Sequence, residues 1–229
     1  MKPLKDWDDL PDFMRTKEVR PYYDNLKKHE KELYLKRAFD VVAASILLVL
    51  LAPVMLVVAV WIKLDSLGPV FFRQSRITQY GKEFRIFKFR TMVNNADKLG
   101  SAVTVGNDSR ITKVGSIIRK YRIDEFPQLF NVLSGDMSFV GIRPEVPKYV
   151  KEYTEEMYAT LLLPAGITSE ASINYKDESY LIKCSESIDD IYIERILPEK
   201  MKYNLKSINS YSFTGDIVTM VRTVFAVLG

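Results

Sequence analysis

From Val41 to Ile62 the chain reads VVAASILLVLLAPVMLVVAVWI, with no charged residue. A helix over this stretch rises ~1.5 Å per residue and can match the ~30 Å hydrocarbon core of a bilayer. Soluble helices rarely lack a polar face for so long, so the run is expected to lie in lipid. A long charged stretch precedes it and no small-residue cleavage site follows, which argues against a cleavable signal peptide.

Whether the run crosses the membrane is a separate question. Lys27, Lys28, Lys31, Lys36 and Arg37 precede it, and Lys63, Arg73 and Arg76 follow. Cations on both flanks give no inside–outside asymmetry. Pro53, near the middle, removes one backbone donor and crowds the preceding turn. A helix broken at Pro53 that enters one leaflet and returns fits both facts better than a straight span, which remains the alternative.

At 229 residues the chain suits one domain with appendages. A net charge of +4 sets aside a strongly basic nucleic-acid binder by bulk charge, although a local basic surface fits. Cys184 and His29 are the sole residues of their types. No intrachain disulfide can form, and neither histidine-base catalysis nor a histidine-rich metal site is expected.

Residues 1–35 read as a charged N-terminal arm or surface helix. After the apolar run, "GPVFFRQSRI" and "KEFRIFKFRTM" are aromatic and β-branched around "TQYGK", the pattern of a β-hairpin. Alternation places Arg85, Phe87 and Phe89 on one face of its second strand and Ile86, Lys88 and Arg90 on the other. "NNADKLGSAVTVGNDSR" is loop-like. Helices are expected at about 113–121 and about 124–133, another after Pro147, and an amphipathic one over "GDIVTMVRTVFAVL".

The adjacent acids Asp124 and Glu125 follow Arg119, Lys120 and Arg122. On a helix they would point about 100° apart, so they need not share a task. One reading makes Asp124 an N-cap and Glu125 a favourable first-turn charge. The other makes Asp124 a nucleophile toward an anionic phosphorus centre, with the cations of "FRIFKFR" and its neighbours neutralising the substrate. A surface salt-bridge network explains those charges but not the aromatic residues between them. Walker and Rossmann glycine motifs are absent from the sequence.

"KRAFD" before a proline-centred apolar run, "GPVFFRQSRI", "FRIFKFRTM", "IIRKYRIDEFPQLFNVLSGDMSFVGIRPE" and "PAGIT" occur in this order. Together they closely resemble the bacterial sugar transferases, the monotopic polyprenyl-phosphate phosphoglycosyl transferases, over roughly residues 33–170. The tail resembles the C-terminal part of one branch of that family. The resemblance implies an α+β, mostly helical fold: a re-entrant membrane helix-break-helix, with a small cytosolic catalytic domain that carries a β-hairpin and amphipathic interfacial helices. The corresponding division is 1–35 arm, 36–64 re-entrant helix and 65–229 catalytic domain.

The same resemblance implies transfer of a sugar 1-phosphate from a nucleotide sugar, with uridine the family expectation, to polyprenyl (undecaprenyl) phosphate. Nucleoside monophosphate leaves and a covalent aspartyl phosphosugar is the intermediate. Asp124 matches the nucleophile and a Mg²⁺ ligand, and Glu125 its acidic partner. Arg119, Arg143 and Lys88 match phosphate-binding cations, and Pro53 the helix break. The implied location is the cytosolic face of the bacterial inner membrane, with no nucleic-acid partner and a homodimer left open. Departures from the family pattern are Ala52 before Pro53, "GIRP" for "GPRP", Thr78 in place of a glycine, and "LLPAGITSEASINY", which lacks a basic residue before Pro164 and a glycine after Thr168. A membrane-anchored assembly protein without chemistry and a soluble metal-dependent phosphohydrolase are the competing readings.

Overall fold

A computed structural model describes residues 2–96, 108–174 and 188–228. Helix α1 (Arg20–Lys28) leads almost directly into α2 (Glu30–Asp65). The hairpin follows as β1 (Phe71–Ile77) and β2 (Glu83–Phe89), antiparallel, with Arg73 opposite Phe87 and Phe72 opposite Lys88. Next come α3 (Lys113–Lys120), a 3₁₀ turn (Ile123–Glu125), α4 (Gln128–Ser134) and β3 (Met137–Val140). Beyond α5 (Pro147–Val150), β4 (Ala165–Thr168) pairs parallel to β3. The remaining elements are α6 (Glu170–Asn174), α7 (Ile188–Ile191), a π-helical turn (Tyr192–Ile196), α8 (Leu197–Asn209) and α9 (Phe213–Leu228).

Helix α2 is assigned as helical from Glu30 through Pro53 to Asp65, so the expected break does not interrupt the element. A proline deletes one N–H donor and crowds one turn, and an apolar helix can run on past that local loss. Val49, Leu50, Leu56 and Val57 are exposed along α2. A soluble core helix would bury them.

Both ends of α2 are tied to the same body. Arg37 donates to the carbonyls of Val132 and Leu133 at 2.6 and 3.0 Å, and Asp40 accepts the Phe139 N–H at 3.2 Å. At the far end Asp65 accepts the Val114 N–H at 3.1 Å. Inside the helix, Ala44 packs with Phe84, Ile86, Leu129 and Val132, whereas Met55, Val58 and Ile62 pack with Phe89, Val114 and Ile118.

A further core joins the two ends of the chain. Leu4, Met14, Val19 and Leu26 from the N-terminal residues pack with Tyr149, Leu162, Tyr192 and Met201. Burial of this kind contributes roughly 1.5–3 kcal/mol per large apolar side chain relative to exposure. The single helix expected after Pro147 is instead α5 followed by a 3₁₀ segment, Glu156–Leu162. Ala159, Thr160, Leu161 and Leu162 are all buried, and an α-helix cannot turn four successive side chains inward against one neighbour.

Helix α9 is amphipathic, as expected, with its polar face inward. Asp216 pairs with the buried Lys36 at 2.6 Å, Thr223 bonds Thr168 at 2.7 Å, and Arg222 pairs with Glu170 at 2.8 Å. Val218, Val221, Val224 and Phe225 face outward, exposed.

Candidate active site

One backbone reversal sets the acid pair. Arg122 sits in the left-handed region at φ 56°, which ends the approach from α3 and starts the 3₁₀ turn holding Asp124 and Glu125. A bulky residue there is uncommon, and such strain persists where the surroundings impose it. Because α4 begins at Gln128 behind Pro127, Asp124 is not its N-cap; the helix expected from about 124 starts one turn later. That removes the capping explanation for Asp124.

The pair then divides. Glu125 Oε1 receives Lys88 Nζ at 2.8 Å and Arg143 Nη2 at 2.9 Å. Burial works to raise the Glu125 carboxyl, but Lys88 and Arg143 outweigh it and hold it well below the usual carboxylate range. Burial also pulls the Lys88 ammonium down, with Glu125 opposing. Asp124, 9% exposed, is pushed up by burial against the pull of Lys88, and Glu125 adds to the rise. Among the described residues no hydrogen bond or ion pair is made to the Asp124 carboxylate. Glu125 is committed to two cations; Asp124 is available.

Asp124 lines a cavity of about 360 Å³ together with Arg73, Arg76, Lys88, Arg110 and Arg119. Phe71 and Phe89, stacked at 5.5 Å, also line it, and the guanidinium of Arg73 lies 4.0 Å from the ring centre of Phe87, outside the lining. Of the expected residues, Asp124, Lys88 and Arg119 therefore share one cavity. Arg143 lies outside its lining and reaches the site through Glu125. Pro53 is on the exposed side of α2, in the apolar helix rather than the site.

Supporting residues hold this geometry. Asn131, 2% exposed, accepts the Phe87 N–H at 2.8 Å and donates to Arg85 O at 3.1 Å, latching α4 to the strand that carries Lys88. Thr78, the departure from glycine, donates to Asp136 O at 2.6 Å and accepts the Ala165 N–H at 3.0 Å, joining the hairpin turn to β4. Gly115 lets α3 rest on the Thr91 backbone, since a Cβ there would lie 2.0 Å from Thr91 O. Arg110 is fixed by Asp108, whose carboxyl its hydrogen bonds hold at about 2. Sequence reasoning passed over Asn131 and Arg110. The only signals were an Asn amid the apolar residues of a short helix and an Asp-x-Arg in a polar loop.

No group of three His, Cys, Asp or Glu side chains is gathered among the described residues. Mg²⁺ commonly takes one or two carboxylates and completes its shell with water and phosphate oxygens. One open carboxylate beside a cation-lined cavity fits a Mg²⁺ shared with a diphosphate, and does not fit a protein cage.

The bacterial sugar transferase family model matches residues 31–229. The chain is 38% identical over 199 residues to the UDP-N-acetylgalactosamine-undecaprenyl-phosphate N-acetylgalactosaminephosphotransferase of Aeromonas hydrophila, covering 85% of this chain and 44% of that protein. It is 36% identical over 212 residues to the UDP-glucose:undecaprenyl-phosphate glucose-1-phosphate transferase of Escherichia coli K12, covering 90% and 43%. With the undecaprenyl-phosphate glucose phosphotransferase of Komagataeibacter xylinus it shares 45% over 152 residues, covering 63% and 29%. The chain thus spans less than half the length of these relatives. A match that takes in the apolar helix, the hairpin, the acid pair and the tail means that this chain belongs to the bacterial sugar transferase family.

Proposed function

We propose that this chain transfers a sugar 1-phosphate from a UDP-sugar to undecaprenyl phosphate, through a covalent phosphosugar on Asp124, at the cytosolic face of the bacterial inner membrane. The observation that carries the reading is the division of the acid pair. Glu125 is held by Lys88 and Arg143, while Asp124, without a partner among the described residues, opens to a cavity walled by cations. The names of the relatives supply the substrate classes.

In the first step an Asp124 oxygen attacks the phosphorus that bears the sugar. The bond to the bridging oxygen breaks, and nucleoside monophosphate leaves with that electron pair. Arg119, with Arg73 and Arg110 on the same wall, binds the diphosphate charge. In the second step a phosphate oxygen of the lipid attacks the acyl phosphate, the acyl–oxygen–phosphorus link breaks and the carboxylate is regenerated. Asp124 would hold a Mg²⁺, which would supply charge neutralisation for the departing nucleoside monophosphate. Lys88 and Arg143 keep Glu125 ionised, so that a compact row of charges backs the nucleophile.

The re-entrant course of α2 is part of this proposal. Asp40 and Asp65 bond the same polar body. A straight helix would carry the two ends to opposite membrane faces, about 1.5 Å apart per intervening residue, and would drag charged strands through lipid. The outward Val218, Val221 and Phe225 of α9, beside the membrane entry of α2, suit an interfacial helix.

The test is to incubate the purified protein with a panel of UDP-sugars, first alone and then with undecaprenyl phosphate. Donor alone should add the mass of one phosphosugar at Asp124 and release UMP; adding the lipid should clear the adduct with ping-pong kinetics. Product without an adduct would replace the double displacement by direct transfer. Undiminished turnover in excess EDTA would remove the metal from the scheme.

A further inference from the structure

The segment that carries Arg143 is gripped from two sides. On the hairpin side, the Ile77 N–H donates to Glu145 O at 2.9 Å, and Arg76 Nη1 donates to Pro144 O at 3.1 Å. On the opposite side the Glu145 side chain makes the connection. Its Oε1 accepts the Tyr192 hydroxyl at 2.6 Å and faces Lys200 Nζ at 3.6 Å. Lys200 also donates to the Tyr192 oxygen at 3.0 Å. The Tyr192 hydroxyl is therefore a relay, accepting from the lysine and donating to the acid.

All three side chains are buried: Glu145 is 8% exposed, Tyr192 4% and Lys200 5%. A buried ion pair is a poor route to stability, because an apolar replacement of equal volume often does as well or better. Its geometry is specific, however. Tyr192 opens the π-helical turn ahead of α8, and single π turns are rare and recur at functional sites. The Tyr149 ring stacks on Tyr192 at 4.4 Å and fixes its plane. Pro144, between Glu145 and Arg143, removes one backbone freedom from the link.

From this geometry we propose that Glu145, Tyr192 and Lys200 are positioning residues for the diphosphate site: they set the direction of Arg143, and through it the placement of Glu125. The C-terminal elements then act on the reaction without touching substrate. This inference rests on the proposed function, in which Arg143, through Glu125, backs the site that takes the donor.

The test uses the full chain in lipid nanodiscs as wild type, Tyr192→Phe, Lys200→Met and the double variant Lys200→Met/Glu145→Gln. UDP affinity, donor KM and kcat, and amide hydrogen exchange at residues 141–146 are measured. Each single variant should weaken UDP binding and raise donor KM about tenfold, the lower end for changes to groups that orient a binding residue, with kcat altered less. Exchange at 141–146 should quicken while α3 and α4 stay protected. In the double variant the carbonyl of the introduced glutamine still accepts from Tyr192, so UDP affinity should return to within about threefold of wild type.

Single variants that lose thermal stability but keep UDP affinity, KM and exchange unchanged would overturn the proposal and leave a purely structural network. Failure of the double variant to recover would overturn it as well. A wild-type protein that turns over no UDP-sugar defeats the proposed reaction instead, and exchange at 141–146 then decides the network alone.

Discussion

The Lys88 ammonium lies 2.8 Å from Glu125 Oε1 and makes no ion pair with the neighbouring Asp124. One strand cation thus separates two acids that look equivalent in the chain. The acid it holds is fixed in its ionised form; the acid it leaves faces the cavity.

Asp124→Asn should abolish the adduct and cut turnover at least about a thousandfold. It should also stabilise the protein. Burial raises the folded carboxyl above its ordinary 3.8, so the ionised form is less favourable in the fold than in water. That cost grows as pH rises through the interval between the ordinary and the raised value, and is complete above it. Thermal unfolding at pH 7 should show the variant melting higher than wild type, and at pH below 3.8 the gain should vanish.

Glu125→Gln should do the opposite. The folded Glu125 carboxyl lies below its ordinary 4.5, so its contribution is fully present above that value and is lost as pH falls toward the folded one. Loss of the charge from bonds to Lys88 and Arg143 should cost about 2 kcal/mol at pH 7. The difference in melting temperature should hold steady from neutral pH and shrink below 4.5. Turnover should fall about a hundredfold, since Arg143 and Lys88 lose their shared anchor.

Single cysteines in place of Lys31 and Leu67, with Cys184 removed, report the two ends of α2. Both residues are exposed. In intact cells neither should react with an impermeant thiol reagent, and both should react after permeabilisation. Labelling of either from outside would establish a straight span. Pro53→Leu restores the missing N–H and should move a measurable fraction of molecules to that spanning form.

Thr78→Val keeps the shape of the side chain and removes its hydroxyl. The Asp136 carbonyl and the Ala165 N–H each lose a partner inside the fold. About 2 kcal/mol of stability should be lost, with the adduct still forming on Asp124 in the folded fraction. Urea unfolding beside adduct mass measures both.

The hairpin was legible because its alternation and turn residues are local: "FRIFKFR" places Lys88 on the Glu125 side without reference to anything distant. The acid pair was legible as a motif, yet its division was not. It depends on Arg143, which returns to Glu125 from beyond β3, and on a left-handed Arg122 that no propensity would assign. Helix α4 was placed too early because first-turn proline and acid signals suited Asp124 as its start, whereas the chain spends that turn in 3₁₀ geometry. The N-terminal residues read as an arm because their aliphatics are few. Their partners, Tyr149, Leu162 and Met201, lie far along the chain, and sequence patterns do not register such pairings.

The anchors of α2 arrive late in synthesis. Asp40 waits for Phe139, 99 residues on, and Asp65 for Val114, 49 residues on. When the apolar helix leaves the ribosome, none of the polar groups that hold its two ends yet exists. Contacts of such separation form slowly, and an exposed apolar helix aggregates in the interval. With α2 in lipid, as proposed, the bilayer takes up the helix before the rest of the chain has folded, and that part then assembles against it. On that reading, folding of this protein ends in a docking event at the membrane rather than in the insertion of a finished body.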